Sequence, residues 1–213
     1  MASAQYNYYR ISIGGGAGVT SAFADLQKKL PKPMFFGTAD YNITPFLIAG
    51  LEFQKGTLSG GDKTADTHLR YFSNSYSALI LGTRVQLGQF VDFENSNLLY
   101  ALRGFYIGSG VGLLNNKMTD IVRIQPGSNR VNPGVDQSKE LFLPINTGVS
   151  FNILDQFNYT KFVVSANYQL NVVFGEGLDG YNDPPAQFKN NGHDFFGVLS
   201  IGLKYSFGPE GLY

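Results

Sequence analysis

The 213-residue chain carries 16 basic and 16 acidic residues, so its formal charge is zero, and it has neither Cys nor Trp against 26 Gly, 18 Phe and 13 Tyr. A neutral chain without a basic stripe has no electrostatic footing on nucleic acid, and a chain without Cys has no disulfide framework or thiolate chemistry. No apolar run approaches the roughly 18 residues of a transmembrane helix. The mean hydropathy of −0.09 is still compatible with a membrane barrel, in which only alternate residues face lipid.

The chain begins Met1-Ala2-Ser3-Ala4-Gln5. Ala2-Ser3-Ala4 has the small-residue form of a signal-peptidase site, with no apolar stretch before it, so export through a signal peptide is an expectation only. From there the dominant period is two. Between Lys161 and Phe174 the even positions are Phe162, Val164, Ala166, Tyr168, Leu170, Val172 and Phe174, and Ser165, Asn167, Gln169 and Asn171 stand among the odd ones. Leu141 to Ile153 repeats the pattern, as do Leu199, Ile201, Leu203, Tyr205 and Phe207 against Ser200, Gly202, Lys204 and Ser206. Strict alternation over such lengths predicts strands, since a helix would repeat at i, i+3 and i+4.

In chain order the alternation predicts strands near 7–19, 33–43, 46–58, 69–87, 97–113, 141–153, 161–175 and 194–207. The fifth sets Leu98, Tyr100, Leu102 and Tyr106 on one face with Phe105 and Ile107 on the other, which suggests a bulge. Ala22 to Leu30 has room for one helical turn. Asn42 to Pro45, Gly88 to Ser96 and Asp155 to Thr160 read as short connections. Ser21 to Pro33, Ser59 to His68, Asn115 to Glu140 and Glu176 to His193 read as longer ones, rich in Gly, Asn, Asp and Pro. Outer-membrane barrels sort their connections in this way, with short periplasmic turns and long outer loops. The prediction is an all-β, eight-stranded antiparallel up-and-down transmembrane β-barrel. It would be one domain over residues 1–213, with strands from about 7 to 207 and a short periplasmic tail at 208–213. Both termini would then lie in the periplasm of a bacterial envelope.

A soluble lipid-binding barrel alternates as well but keeps its apolar set inside. Here the polar set is rich in Gly, Ser and Asn, which suit a narrow interior. Turned inward, it would place Arg10, Asp40, Glu52, Arg84, Arg103 and Lys204 in the lumen. Arg10, Asp40, Arg84 and Lys204 would lie toward the periplasmic end, and Glu52 and Arg103 nearer the middle. Buried charges must be paired, so an ion-pair plug is expected, with a narrow conduction path as the alternative. Tyr6, Tyr8, Tyr9, Tyr41, Tyr205 and Phe207 fall where strands leave the hydrocarbon, as an interfacial girdle would.

The segment from Ser200 to Phe207 resembles the β-signal of outer-membrane proteins at Ser200, Gly202, Tyr205 and Phe207. That resemblance implies recognition by the barrel assembly machinery. More widely, the Ile13-to-Gly18 strand, the Asp40-to-Pro45 turn and the Gly202–Phe207 ending are similar to the small OmpA-type outer-membrane β-barrel proteins, especially those of Bacteroidota. The resemblance implies architecture and location in the outer membrane, not an activity. No cell-wall tether is expected, because no peptidoglycan-binding domain follows the barrel.

For catalysis the chain offers only His68 and His193, both in expected outer loops. Adjacent strand residues face opposite ways, so His193-Asp194 makes a poor dyad. The glycines of Gly14 to Gly18 and Gly104 to Gly112 lack the Lys-Ser/Thr and the helix of a phosphate loop, and close packing between strands explains them better. Asp179, Asn182 and Asp183 could offer oxygens to Ca²⁺, but not at EF-hand spacing, and a polar turn is the plainer reading. No cofactor is expected. The expected role is structural or partner-binding: lipid around the barrel, assembly machinery at the last strand, and another envelope protein on the long loops. A soluble lipid-binding barrel and a lipid-modifying enzyme are the further alternatives.

Overall fold

The computed structural model describes residues 7–23, 30–61, 71–90, 102–122, 134–175, 177, 178, 180 and 194–212. Eight strands follow one another: β1 (Asn7–Phe23), β2 (Lys32–Asn42), β3 (Leu47–Gly61), β4 (Tyr71–Gln86), β5 (Phe105–Ile121), β6 (Gln137–Leu154), β7 (Thr160–Val173) and β8 (Asp194–Leu212). Each pairs antiparallel with the next, and β1 pairs with β8, so the sheet closes into an up-and-down barrel. Closure leaves no unpaired strand edge.

Which alternate set faces out is settled by exposure. Ile201 is 67% exposed, Phe35 66% and Ile107 61%, while Asp40, Gln54, Asn116, Gln169, Ser200 and Lys204 are buried. A large apolar side chain left in water forgoes roughly 1.5–3 kcal/mol of burial. A belt of them around all eight strands therefore calls for a hydrocarbon surround. A soluble ligand-binding barrel requires the reverse arrangement.

The narrow interior is filled by setting large side chains over glycines of neighbouring strands. Phe36 lies across Gly16 and Gly202, where a Cβ would meet its ring at 2.7 and 2.8 Å. Phe142 covers Gly112 in the same way. The glycine runs of β1 and β5 are thus packing sites, as close-packed strand glycines should be.

One end of the barrel carries the start of β1, the end of β8 and the connections between β2 and β3, β4 and β5, and β6 and β7; the other carries the four remaining connections. They are called here the short-turn and long-loop ends. The β4–β5 connection is longer than the expected Gly88-to-Ser96 turn and contains a 3-10 turn at Leu87–Gln89. The cause is β5, which begins at Phe105 rather than near 97. Phe105, Ile107, Val111 and Leu113 face out and Tyr106 faces in, opposite in parity to the expectation. Leu98 and Tyr100 lie outside the described residues, and no bulge interrupts Phe105–Ile107. Both β5 and β6 also run beyond the apolar alternation, as far as Ile121 and from Gln137. The residues expected as a tail after Phe207 instead extend β8 and pair with Asn7, Tyr8 and Tyr9.

The 155–159 turn is held by its first residue. Asp155 Oδ1 accepts from the backbone N–H of Phe157 at 2.9 Å and of Tyr159 at 3.0 Å, and Tyr9 donates its hydroxyl to Oδ2 at 3.4 Å. Partial desolvation pushes the carboxyl up, but these hydrogen bonds outweigh it and hold the group below its ordinary 3.8. A depressed folded value stabilises above the unfolded value and is lost as pH falls through the folded one. Protection of the 155–159 amides from hydrogen exchange is therefore expected to be constant above about pH 5 and to fall below about pH 4. Asp155→Asn, which keeps the Oδ1 acceptor but not the titration, should flatten that profile.

Candidate functional site

The lumen has two layers. In the half nearer the short turns, Asp40 on β2 stands over Gly50 of β3, and Lys204 on β8 over Gly14 of β1. Their side chains meet: Lys204 Nζ donates to Asp40 Oδ2, and Arg84 of β4 donates to Asp40 Oδ1 at 3.2 Å. The Asp40 side chain has no exposure, Lys204 7% and Arg84 19%. Slightly deeper, Gln54 Nε2 donates to Glu52 Oε1 and to Gln169 Oε1, both at 2.6 Å. Tyr106 of β5 donates to Asn167 Oδ1 at 2.9 Å, and Asn167 to Asn146 at 3.3 Å. Two cations and two carboxylates share this layer, so it holds no net charge. A buried ion in such a place survives only when paired and hydrogen-bonded.

Between this layer and the short-turn end lies a small cleft open to solvent, lined by Tyr8, Ser12, Asp40, Arg84, Tyr106 and Lys204 among others. The polar layer is therefore the floor of a cup that opens toward the short turns.

The half nearer the long loops is mainly apolar, with the buried amides of Asn74, Asn116 and Asn171 set among the apolar side chains. Met34, Leu58, Phe72, Tyr76, Leu114, Phe142, Val173, Phe196 and Val198 form one buried cluster inside the barrel. The Phe196 ring lies 5.7 Å from Tyr76 and 6.0 Å from Phe142. Leu178, beyond the end of β7, enters the same cluster, and its carbonyl accepts from Asn74 Nδ2 at 2.7 Å. Ser138 Oγ donates to the neighbouring Gly177 carbonyl at 3.1 Å. A short piece of the β7–β8 connection thus folds into the mouth as a stopper.

Four of the six charges expected inside, Asp40, Glu52, Arg84 and Lys204, share the polar layer. The other two do not. A register shift between Tyr9 and Ile11 turns Arg10 outward, where its guanidinium donates to the Tyr41 hydroxyl at 3.1 Å. Arg103 sits in the connection before β5, its carbonyl accepting from Gly88 N–H at 3.2 Å, beside a rim cleft shared with Pro45 and Phe46. It is at the short-turn end rather than the middle, because β5 starts eight residues later than 97.

Of the expected girdle, Tyr8 is 6% exposed and donates to the Ile43 carbonyl at 2.8 Å, so it belongs to the interior. Tyr6 lies outside the described residues. Tyr9 packs on Tyr159 at 5.1 Å, and Tyr205 stacks on Phe207 at 5.9 Å and packs on Phe162 at 5.4 Å, forming an aromatic rim on the outer face. Ser200 and Gly202 point inward on the same strand. His68, His193, Asp179, Asn182 and Asp183 lie outside the described residues. Among the described residues no three His, Asp or Glu side chains gather as a metal site.

Sequence reasoning missed Tyr106, Gln54, Gln169 and the whole apolar layer. Its signal was available: Phe72, Tyr76, Phe142 and Phe196 occupy the otherwise polar parity near the long-loop ends of their strands.

No family model and no curated protein sequence matches the chain. Among solved structures it is similar to Neisserial surface protein A, at 14% identity and a TM-score of 0.52, with 92% of this chain and 97% of that one covered. It is also similar to Ail, the attachment invasion locus protein of Yersinia pestis, solved with the heparin analogue sucrose octasulfate: 14% identity, TM-score 0.49, 92% and 97% covered. A third similarity is to the outer membrane protein OprG from Pseudomonas aeruginosa, at 12% identity and TM-score 0.45, with 95% and 98% covered. At these identities the likeness is one of fold, the eight-stranded barrel.

Proposed function

We propose that the chain is an integral outer-membrane barrel, closed to ions and without catalytic chemistry, that works through its outer face and its long-loop end. The observation that carries this is a continuous belt of exposed apolar side chains around a lumen filled by a paired-charge layer and, beyond it, an apolar one. The barrel fold it shares with outer-membrane proteins supports the location. The OmpA-type resemblance supports it too, and any tie to Bacteroidota rests on that resemblance alone. Placing the short turns and both termini in the periplasm follows the usual sorting of connections. The outward Tyr205 and Phe207, with Ser200 and Gly202, would serve the assembly machinery, and the long loops a further envelope protein.

The closure differs from a plug of ion pairs. The charged layer is neutral and still reached by a cleft, whereas the layer beyond it is packed with Phe72, Tyr76, Phe142 and Phe196, and its few neutral amides, Asn74, Asn116 and Asn171, replace the water stripped from an ion only in part. The expected result is a β-rich, heat-modifiable species that folds only with detergent or lipid and shows no steady conductance in planar bilayers. Folding in plain buffer would overturn the membrane reading, and steady conductance the closed one. The narrow channel keeps one observation in its favour, a smaller space around Glu52, Arg84, Asn146 and Gln169 above the cup, and the same bilayer recording decides it.

A further inference from the structure

Beyond the apolar belt, four adjacent strands continue toward the long loops with polar outward residues. The last belt row is Phe53, Leu79, Leu113 and Leu141, each paired in register with the next across β3, β4, β5 and β6. The next row is Lys55, Ser77, Asn115 and Lys139, and the one above it Thr57, Ser75, Lys117 and Gln137. Lys55, Lys117 and Lys139 are exposed, and none makes an ion pair or hydrogen bond among the described residues. The two rows contain no carboxylate. Asp120 and Asp136 come only beyond them, each engaged in contacts of its own.

The wall is one-sided. On the other four strands, the outward residues nearest the long loops are apolar: Phe174 just past β7, Phe195 on β8, Phe23 on β1 and Pro33 on β2. General solubility of the loop end does not explain why, among the described outward residues there, the cations gather on β3–β6.

Resting on the membrane reading above, we propose that this wall docks a doubly phosphorylated, sugar-headed lipid of the surrounding leaflet. Its position is the first argument, for the rows begin where the hydrocarbon-facing belt stops, at the level of lipid headgroups. Charge complementarity is the second: three ammonium groups that make no ion pair among the described residues, with no acid between them in the two rows. Spacing is the third. Lys117 and Lys139 are diagonal neighbours on adjacent strands, with Cβ atoms roughly 7–8 Å apart, and two long flexible side chains can converge on one phosphate. Lys55 stands three strands from Lys139, roughly 14 Å along the wall at 4.7–4.9 Å per strand, too far to share that phosphate. A second phosphate is needed, held off from the first by a polar spacer. Ser75, Ser77 and Asn115 lie between, able to hydrogen-bond sugar hydroxyls.

The test uses the full-length protein folded in neutral detergent, with binding followed by native mass spectrometry. The probes are a diphosphorylated disaccharide lipid, its monophosphorylated form and phosphatidylglycerol. The diphosphorylated lipid is expected to bind at least tenfold more tightly than either of the others and to weaken as salt rises. In the Lys55→Gln/Lys117→Gln/Lys139→Gln variant this preference should vanish while heat-modifiable migration stays unchanged. Lys55→Gln alone should bring the diphosphorylated lipid down to the monophosphorylated level. Equal binding of all three lipids by the unaltered protein, or an undiminished preference in the triple variant, overturns the proposal. Failure to form the heat-modifiable barrel in detergent overturns the membrane reading instead, so the two failures are distinguishable.

Discussion

Asp40→Ala is expected to cost the barrel roughly 3–5 kcal/mol, the usual penalty for removing one partner of a buried ion cluster. Both Asp40 oxygens are engaged, one by Lys204 and one by Arg84, and the side chain has no exposure. Without it two cations face one another in the lumen, and the remaining carboxylate, Glu52, is held by Gln54. Denaturant unfolding in detergent, followed by the shift in gel migration, measures the loss. Asp40→Asn should lose most of the same amount, since it keeps the shape but not the charge. Adding Lys204→Met to Asp40→Ala should recover a large part, because residues within one network are not additive. A loss below about 1 kcal/mol, the size typical of exposed ion pairs, would mean that water screens the cluster and would favour the channel.

Phe142→Ala and Phe196→Ala should each cost about 3–5 kcal/mol, the range for emptying a buried aromatic site. Both side chains are at 0% exposure and their rings are 6.0 Å apart, so the double variant should depart from the sum of the singles. The same variants decide what seals the lumen. Planar-bilayer recordings should show openings for the Phe142→Ala/Phe196→Ala protein and none for Asp40→Ala. The reverse would return the seal to the ion pairs.

How much was legible depended on where each strand sits relative to the hydrocarbon. Inside the belt the two faces differ sharply, so β6, β7 and the heart of β8 could be read residue by residue, and Asp40, Glu52, Arg84 and Lys204 were assigned to the lumen by parity alone. Parity fails wherever a register shift intervenes. The one between Tyr9 and Ile11 sends Arg10 to the outer rim. It fails too where the boundary is misjudged, as at β5, where Tyr106 was placed on the lipid face and Arg103 in the middle of the lumen. Asn115, Asn116 and Lys117 look like loop by composition, yet they extend β5 because pairing with β4 and β6 satisfies their backbone whatever their side chains are.

By itself, then, the sequence determined the all-β class, the order of eight strands and, within the belt of most strands, which residues share a face. Those follow from local physics: a period of two, and the cost of apolar surface in water. Only the tertiary structure decided which inward residues meet. Asp40, Arg84 and Lys204 come from β2, β4 and β8, and their meeting depends on strand register and closure, which no local pattern encodes. The same holds for the apolar layer. Phe72, Phe142 and Phe196 are each an isolated exception within their own strand, and they become a seal only when closing the barrel brings all three across the same lumen.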